Sequence, residues 1–323
     1  MPAPEQIAIT VVIVTYRSAD VLAGCLASIP ATAEVIVVSQ DATTDEVRAI
    51  ADHERPDARV IASGRNRGFG AGCNLGAANS TGEVIIFLNP DARFRPGCAE
   101  RLAETTLANA GTLTGPSIRG GDGQDITRAR NWSTPWTDAV DLLVPLKLQP
   151  RRWRRDIPVG EQVYEHGGVV PYVQGACMAV GRERFAKLGG FDEELFLFGE
   201  EEYLALRLAH EGLSARLEPR ALIMHAEHTS LAKTPGFAVE QYYRTRALNY
   251  RRNRNCADAG LALGVLRSLP LVAVILFLLA SSPIRTTVGV YRPVENAAWC
   301  RSALRGLLAG LLRQPVSGPD PAI

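Results

Sequence analysis

The chain has 323 residues, enough to bury a large core in one big domain with appendages. Its 35 lysines and arginines nearly balance 34 aspartates and glutamates, and a formal net charge of +1 argues against wholesale nucleic-acid binding. Six cysteines (Cys25, Cys73, Cys98, Cys177, Cys256 and Cys300) are scattered with no C-x-x-C or metal-ligand spacing, and read as buried small hydrophobes in a reducing compartment. No basic segment precedes the first apolar run, so no signal peptide is expected.

Ile7 to Val14 reads as a strand buried on both faces, closed by the polar Thr15-Tyr16-Arg17. Ser18 is placed to cap a helix through about Ser28, with Val21, Leu22, Cys25, Leu26 and Ile29 on one stripe. Val35 to Val38 is the next strand, and the small, polar loop from Ser39 through Gln40 and Asp41 to Asp45 offers oxygens and amides to a ligand. A helix from about Thr44 to Asp52 and a strand at Arg59 to Ala62 follow. Three glycines open a further helix in Asn66-Arg-Gly-Phe-Gly-Ala-Gly-Cys-Asn74. Glycines let a backbone approach a ligand and a helix N-terminus favours phosphate, but the spacing is neither the dinucleotide fingerprint nor a P-loop. Val84 to Leu88 is a third buried strand, stopped by Asn89-Pro90. Asp91 thus arrives past a strand's carboxyl end, where open α/β sheets bind ligands. It suits either a turn or a hard cation held against a diphosphate. Strands alternating with helices imply βαβ units and a mostly parallel sheet.

From Thr114 to about Val170 periodicity fades. Arg151-Arg-Trp-Arg-Arg155 reads as an exposed loop, or as a contact to anionic lipid or a phosphorylated acceptor. Tyr172 to Val180 is a strand with Gly175 where a ligand could approach. Glu200, Glu201 and Glu202 open a helix whose inner stripe is Leu204, Leu206 and Leu208. These acids are either ordinary macrodipole partners or include a general base raised in pKa by its neighbours. His225 ends a short apolar strand, with His228 close behind, and is either structural or a second ligand for a cation at Asp91. In the tail, Leu269 to Ala280 is unbroken apolar sequence but short of the roughly 20 residues of a membrane span. Leu304, Leu307, Leu308, Leu311 and Leu312 share a helical stripe, the pattern of an interfacial helix or of one packed on protein.

In this order and spacing, the segments Val-Val-Ile-Val-Thr-Tyr16, Asp41-Ala-Thr-Thr-Asp45, Asn66 to Asn74, Phe87-Leu-Asn-Pro-Asp91, Gly175-Ala-Cys-Met, Gly189-Gly-Phe-Asp-Glu193, Phe198-Gly-Glu-Glu201 and His225 resemble the family 2 glycosyltransferases of the GT-A fold, in particular bacterial rhamnosyltransferase-like members. The resemblance implies an α/β GT-A domain, a mixed, mostly parallel sheet flanked by helices, over residues 1–255. Residues 256–323 become a C-terminal helical membrane-association segment. It places Thr15, Tyr16, Gln40 and Asp41 around the nucleotide base, and Asn66, Gly68 and Asn74 along nucleotide and diphosphate. Asn89 and Asp91 take the first and last positions of the D-x-D-type motif, with Asp91 and His225 holding Mn²⁺ or Mg²⁺. Glu201, beside Glu200, falls at the catalytic carboxylate, usually Asp after Glu.

The resemblance further implies transfer with inversion from a nucleotide-diphospho-sugar, dTDP-rhamnose or a UDP-sugar. The acceptor is a glycan or lipid-linked molecule; the tail's own apolar pattern fits it, with attachment expected at the cytoplasmic face of the plasma membrane, peripheral or marginally integral. Two positions depart from the family pattern: Gln40 stands where the family has the acid that meets the base, so that acid is shifted to Asp41 or lost, and Tyr203 replaces the usual second acid of the catalytic helix. They motivate a rival reading, a nucleotide-sugar-binding relative that has lost catalysis. A sugar nucleotidyltransferase is a further rival, but Thr15-Tyr16-Arg17 offers it only one arginine.

Overall fold

Residues 7–144, 149, 157, 162–226, 235–252, 260–288 and 297–314 are described by the computed structural model. The Arg151–Arg155 knot, His228 and Cys256 lie outside them. The chain divides into two units. The first comprises Met1–Arg130, Pro158–Glu193 and Glu200–Ser230, and the second Asn131–Ile157, Glu194–Gly199 and Leu231–Ile323.

In chain order the elements are β1 (Ile9–Thr15), α1 (Ala19–Leu26), β2 (Glu34–Ser39), α2 (Asp45–Glu54), β3 (Arg59–Ala62), α3 (Phe69–Ala78), β4 (Val84–Leu88), β5 (Ala92–Phe94), α4 (Cys98–Ala108), β6 (Thr114–Gly120), α5 (Pro135–Leu143), α6 (Gln162–His166), β7 (Gly168–Val170), β8 (Cys177–Gly181), α7 (Arg182–Lys187), α8 (Glu200–His210), β9 (Ala215–His225), α9 (Pro235–Arg251), α10 (Leu261–Val288) and α11 (Ala297–Leu311). The first unit holds one mixed sheet in the order β3-β2-β1-β4-β8-β6-β9-β5, with β7 added on β9. β3, β2, β1 and β4 are mutually parallel, β8 runs against both β4 and β6, and β6 and β9 are again parallel.

The apolar runs form these strands because the sheet is covered on both faces. Alternate residues of β1, Val11 and Ile13, join Leu22, Val37, Leu88 and Leu102 in one core. The intervening Val12 and Val14 meet α3 instead, where a β-carbon on Gly72 would stand 2.6 Å from Val14 Cγ1 and one on Gly76 would collide with Val12. Two of the helix's glycines are therefore explained by close packing on the sheet. The parallel register matters most for function: Thr15 pairs with Ser39, Ser39 with Ala62, and Ile13 with Leu88. All four strands thus end on one edge, with β8 starting there because Cys177 pairs with Leu88.

Several local expectations are corrected. Ser18 makes no side-chain capping bond at α1; its Oγ accepts the Tyr16 N–H at 3.3 Å instead. Seven residues expected to lack pattern, Thr-Gly-Pro-Ser-Ile-Arg-Gly, form β6, with a register shift at Pro116/Ser117 where proline has no N–H to give the ladder. On α8, Leu206 is only half-buried, and Tyr203 and Ala205 join Leu204 and Leu208 inside.

The second unit has its own core, in which Tyr243, Ala247 and Tyr250 of α9 meet Leu271, Ile275 and Leu278 of α10 and Cys300, Ala303, Leu307 and Leu311 of α11. β-carbons on Gly306 and Gly310 would collide with the carbonyl oxygens of Glu240 and Arg244, so α11 lies directly on the α9 backbone. The leucine stripe of α11 is accordingly split: Leu307 and Leu311 are buried, while Leu308 and Leu312 are exposed. α10 is a single 28-residue helix, and its stretch Leu261–Ala280 is long and apolar enough to cross a membrane.

Candidate active site

At the carboxyl edge of the sheet, Thr15 and Ser39 are fully buried register partners whose hydroxyl oxygens have no hydrogen-bond partner. Beyond them the chain turns at Arg17, a left-handed residue with φ 53°, and the Arg17 N–H donates to Asp41 Oδ1 at 2.7 Å. That bond fixes the Asp41 carboxylate beside the half-buried Tyr16. Gln40 does something different. Its Oε1 accepts the Arg67 N–H at 2.7 Å and its Nε2 donates to the Gly68 carbonyl at 3.0 Å, so the buried amide clamps the loop before α3. Asn66 Oδ1 takes the Gly68 N–H at 3.0 Å, and Gly68 itself, at φ 92°, adopts a conformation that favours glycine. Asn74 points to another element: it donates to the Phe191 carbonyl at 2.9 Å and accepts the Phe191 N–H at 2.8 Å. The amides of Gln40 and Asn74, both expected to face the nucleotide, are bound to neighbouring backbone.

Past β4, the Asn89 N–H donates to the Ala176 carbonyl at 2.9 Å, and the chain turns immediately into β5. β5 pairs antiparallel with β9, which sets Ala92 opposite His225. As a result Asp91 Oδ1 lies 3.1 Å from His225 Nε2, with Asn89 Nδ2 at 3.5 Å from the same nitrogen. Both ionisable side chains are shielded, at 9% and 13% exposure. The expected pairing of Asp91 with His225 is thus a direct contact. Gly175 sits one residue before Ala176 on this edge, and a β-carbon placed on it would be 3.7 Å from Glu201 Oε2. Glu201 is half-buried there.

Glu200 is packed away from solvent at 3% exposure, its Cγ 3.5 Å from where a Gly70 β-carbon would stand, and its Oε1 has no partner. Burial pushes its carboxyl well above the ordinary carboxylate range, and the Glu201 charge adds to the effect. Two supporting features escaped the sequence reading. Arg207 on α8 donates to the carbonyls of Leu188 and Gly190, holding the Gly189–Gly190 turn. Phe87 of β4, Phe185 and Phe191 form a ring cluster with centroids 5.0–5.2 Å apart. The spacing of Gly189-Gly-Phe191 to Arg207 was the available signal.

Residues 10–188 match the model of Glycosyl transferase family 2. Among curated relatives, the chain is 28% identical over 268 residues to the N-acetylglucosaminyl-diphospho-decaprenol L-rhamnosyltransferase of Mycobacterium tuberculosis, covering 73% of this chain and 81% of that protein. Among solved structures it resembles the mannosyltransferase PcManGT of Pyrobaculum calidifontis, in complex with GDP-Man and Mn²⁺, with a TM-score of 0.55 at 16% identity, covering 96% of this chain and 89% of that one. It also resembles GalNAc-T7 with UDP, GalNAc and Mn²⁺, with a TM-score of 0.56 at 17% identity over 76% of this chain, although it spans only 48% of that longer protein. The fold is GT-A, and the chain belongs to glycosyl transferase family 2, enzymes that transfer sugars from nucleotide-sugar donors.

Proposed function

We propose that this enzyme transfers a sugar, rhamnose foremost, from a nucleotide-diphosphate donor to a lipid-linked or cell-envelope glycan acceptor, with inversion and with a divalent cation. The observation that carries the proposal is the contact between Asp91 and His225, built by β5 and β9 at the edge where the donor site of an open sheet lies. The M. tuberculosis relative, named for rhamnosyl transfer to a diphospho-decaprenol acceptor, supports the choice of sugar and of acceptor class.

In this reading Thr15, Tyr16 and Asp41 surround the base, while Gln40 and Asn66 shape the loop that brings the α3 N-terminus toward the diphosphate. A carboxylate oxygen facing an imidazole nitrogen is a donor set suited to Mn²⁺ or Mg²⁺. Among the described residues no group of three or more His, Cys, Asp or Glu could hold a metal, so Asp91 and His225 would share it with the donor's oxygens. The cation, when bound, supplies positive charge to the leaving diphosphate. Glu201 takes the proton from the acceptor hydroxyl as its oxygen attacks the anomeric carbon, and the bond to the diphosphate breaks with its electron pair leaving on the diphosphate. Burial, with the Glu201 charge adding to it, pushes the Glu200 carboxyl upward, which favours Glu201 over Glu200 as the base.

Residues 1–255 would carry this chemistry and 256–323 the attachment to the cytoplasmic leaflet, with α10 as the apolar surface. A thermal-shift panel of dTDP, UDP and GDP with and without Mn²⁺ identifies the donor class. Transfer by the wild type, abolished in Glu201→Gln, is the expected companion result. A chain that binds nucleotide but neither transfers nor hydrolyses the sugar instead fits a catalytically lost relative, the reading that Tyr203, buried where the family has an acid, keeps in play.

A further inference from the structure

The helix that carries Glu200 and Glu201 is preceded by a short segment, Glu194–Gly199, that groups with the second unit rather than with the sheet. Four of its six residues are tied to the C-terminal helices or to the residues that follow them. The Glu194 carboxylate is shared by Arg252, which follows α9, and by Arg313, which follows α11; Arg313 Nε reaches Oε1 at 2.8 Å and its Nη2 reaches Oε2 at 2.6 Å. The Glu194 carbonyl accepts from Arg244 Nη1 at 2.6 Å, and the other arm of the same guanidinium donates to the Gln314 carbonyl at 2.8 Å. Thr245 donates to the Leu197 carbonyl at 3.3 Å. Phe196 stacks edge-on against Phe237 at 5.8 Å, and Phe198 against Tyr242 at 6.0 Å. Both residues just before Glu200 are left-handed: Phe198 at φ 69° and Gly199 at φ 81°, with Thr245 Cγ2 2.8 Å from where a Gly199 β-carbon would stand. A phenylalanine does not hold that conformation by itself; its surroundings must impose it.

We infer that α9 and the end of α11 act on catalysis through the chain itself, because they hold the Glu194–Gly199 segment in the strained shape from which α8, and with it Glu201, starts. Glu194, Arg252 and Arg313 are then positioning residues for Glu201. The inference rests on the reading of Glu201 as the general base. The donor-binding groups (Thr15, Tyr16, Asp41, Asp91 and His225) lie on other segments of the chain, so loosening the latch leaves them in place. Two charge-assisted arginines on one carboxylate also set the direction of its pKa: burial pushes Glu194 upward, but Arg313 and Arg252 outweigh it and hold the carboxyl below its usual range.

The test uses the full-length protein and compares Arg313→Ala, Arg313→Lys and Glu194→Gln with Arg301→Ala, an exposed arginine on α11 outside the latch. Expected for Arg313→Ala and Glu194→Gln is a fall in kcat for transfer of about 10- to 100-fold, the scale of a carboxylate misplaced by about an ångström. Nucleotide affinity and donor KM stay within about twofold. Arg313→Lys recovers part of kcat, Arg301→Ala changes nothing, and Arg313→Ala costs little more in the Glu194→Gln background. An unchanged kcat, or losses of kcat, nucleotide affinity and Tm in parallel in the mild Glu194→Gln and Arg313→Lys variants, overturns the inference. Glu201→Gln in the same assay separates the two ideas. Full turnover there removes Glu201 as base whatever Arg313 does, whereas an inactive Glu201→Gln beside a normal Arg313→Ala removes only the latch.

Discussion

Asp91 and His225 meet because β5 pairs with β9, and that pairing makes a metal-specific prediction about single residues. Asp91→Ala and His225→Ala should each weaken nucleotide binding by about 10-fold or more in Mn²⁺ and leave binding in chelator unchanged. Calorimetric titration in both conditions decides it, and equal weakening in chelator removes the assignment. Glu200 supports a second prediction. Its folded pKa is raised by burial and by Glu201, so the folded state binds its proton more tightly than the unfolded chain, whose value is about 4.3. The stability tied to that proton is complete below the unfolded value and is lost as pH rises through the folded one. Glutamine keeps the shape without the charge. Glu200→Gln should therefore melt near the wild type at pH 4 and above it by an increasing margin toward pH 9; a margin that shrinks or reverses with pH means Glu200 is ionised and paired in the fold. At this scale the sequence placed Asp91, His225 and Glu201 correctly on their segments. It could not show that the amides of Gln40 and Asn74 are held by backbone on other loops, because such loop-to-loop bonds leave no periodicity.

Elements with a repeating apolar pattern were readable and those without one were not. β1, β2, β3 and β4 stand close to their expected places because each is an apolar or β-branched run. β6 is set by its partners β8 and β9, and β5 is only three residues long, so neither carries a signal of its own. α9 was missed for another reason: its buried side include Arg244, Thr245 and Arg246 beside Tyr243 and Ala247, so polar residues occupy positions where an apolar stripe would advertise the helix. The buried Asp138 answers these cations, accepting from Tyr250 and lying 3.7 Å from Arg246. The contact between α9 and α11 depends on Gly306 and Gly310, and it can be tested directly. Gly306→Leu or Gly310→Leu must push the helices apart against backbone, an overpacking cost of about 1–3 kcal/mol or more. A fall in Tm of several degrees is expected, against no change for Gly121→Ala, whose β-carbon meets nothing within 4 Å. Leucine tolerated at Gly306 without loss of Tm would show that the helices do not touch this closely.

For the molecule as a whole, the structure changes how membrane attachment has to be tested. Removing the tail would strip α9 of the partners that bury Tyr243, Ala247 and Tyr250, so a truncated chain would fail for reasons unrelated to lipid. The two sides of α10 allow a cleaner separation. Leu271, Ile275 and Leu278 face the protein, whereas Val265, Leu266, Leu269, Leu276 and Phe277 are 42–61% exposed, and Leu308 and Leu312 of α11 are exposed as well. A helix with one apolar side on protein and another open suits a surface dipping into a leaflet better than a lone span. Burying a leucine or phenylalanine side chain contributes about 1.5–3 kcal/mol, so several together would suffice for firm attachment. Replacing Leu266, Leu269 and Phe277 together by glutamate should move the enzyme from vesicles of mixed neutral and anionic lipid into the supernatant on flotation. Tm should hold, because these side chains leave the core alone, whereas Leu271→Glu should unfold the unit. If the triple variant still floats with the vesicles and is released only by high salt, the Arg151–Arg155 knot carries the attachment by charge, since screening weakens ionic contacts and spares apolar ones.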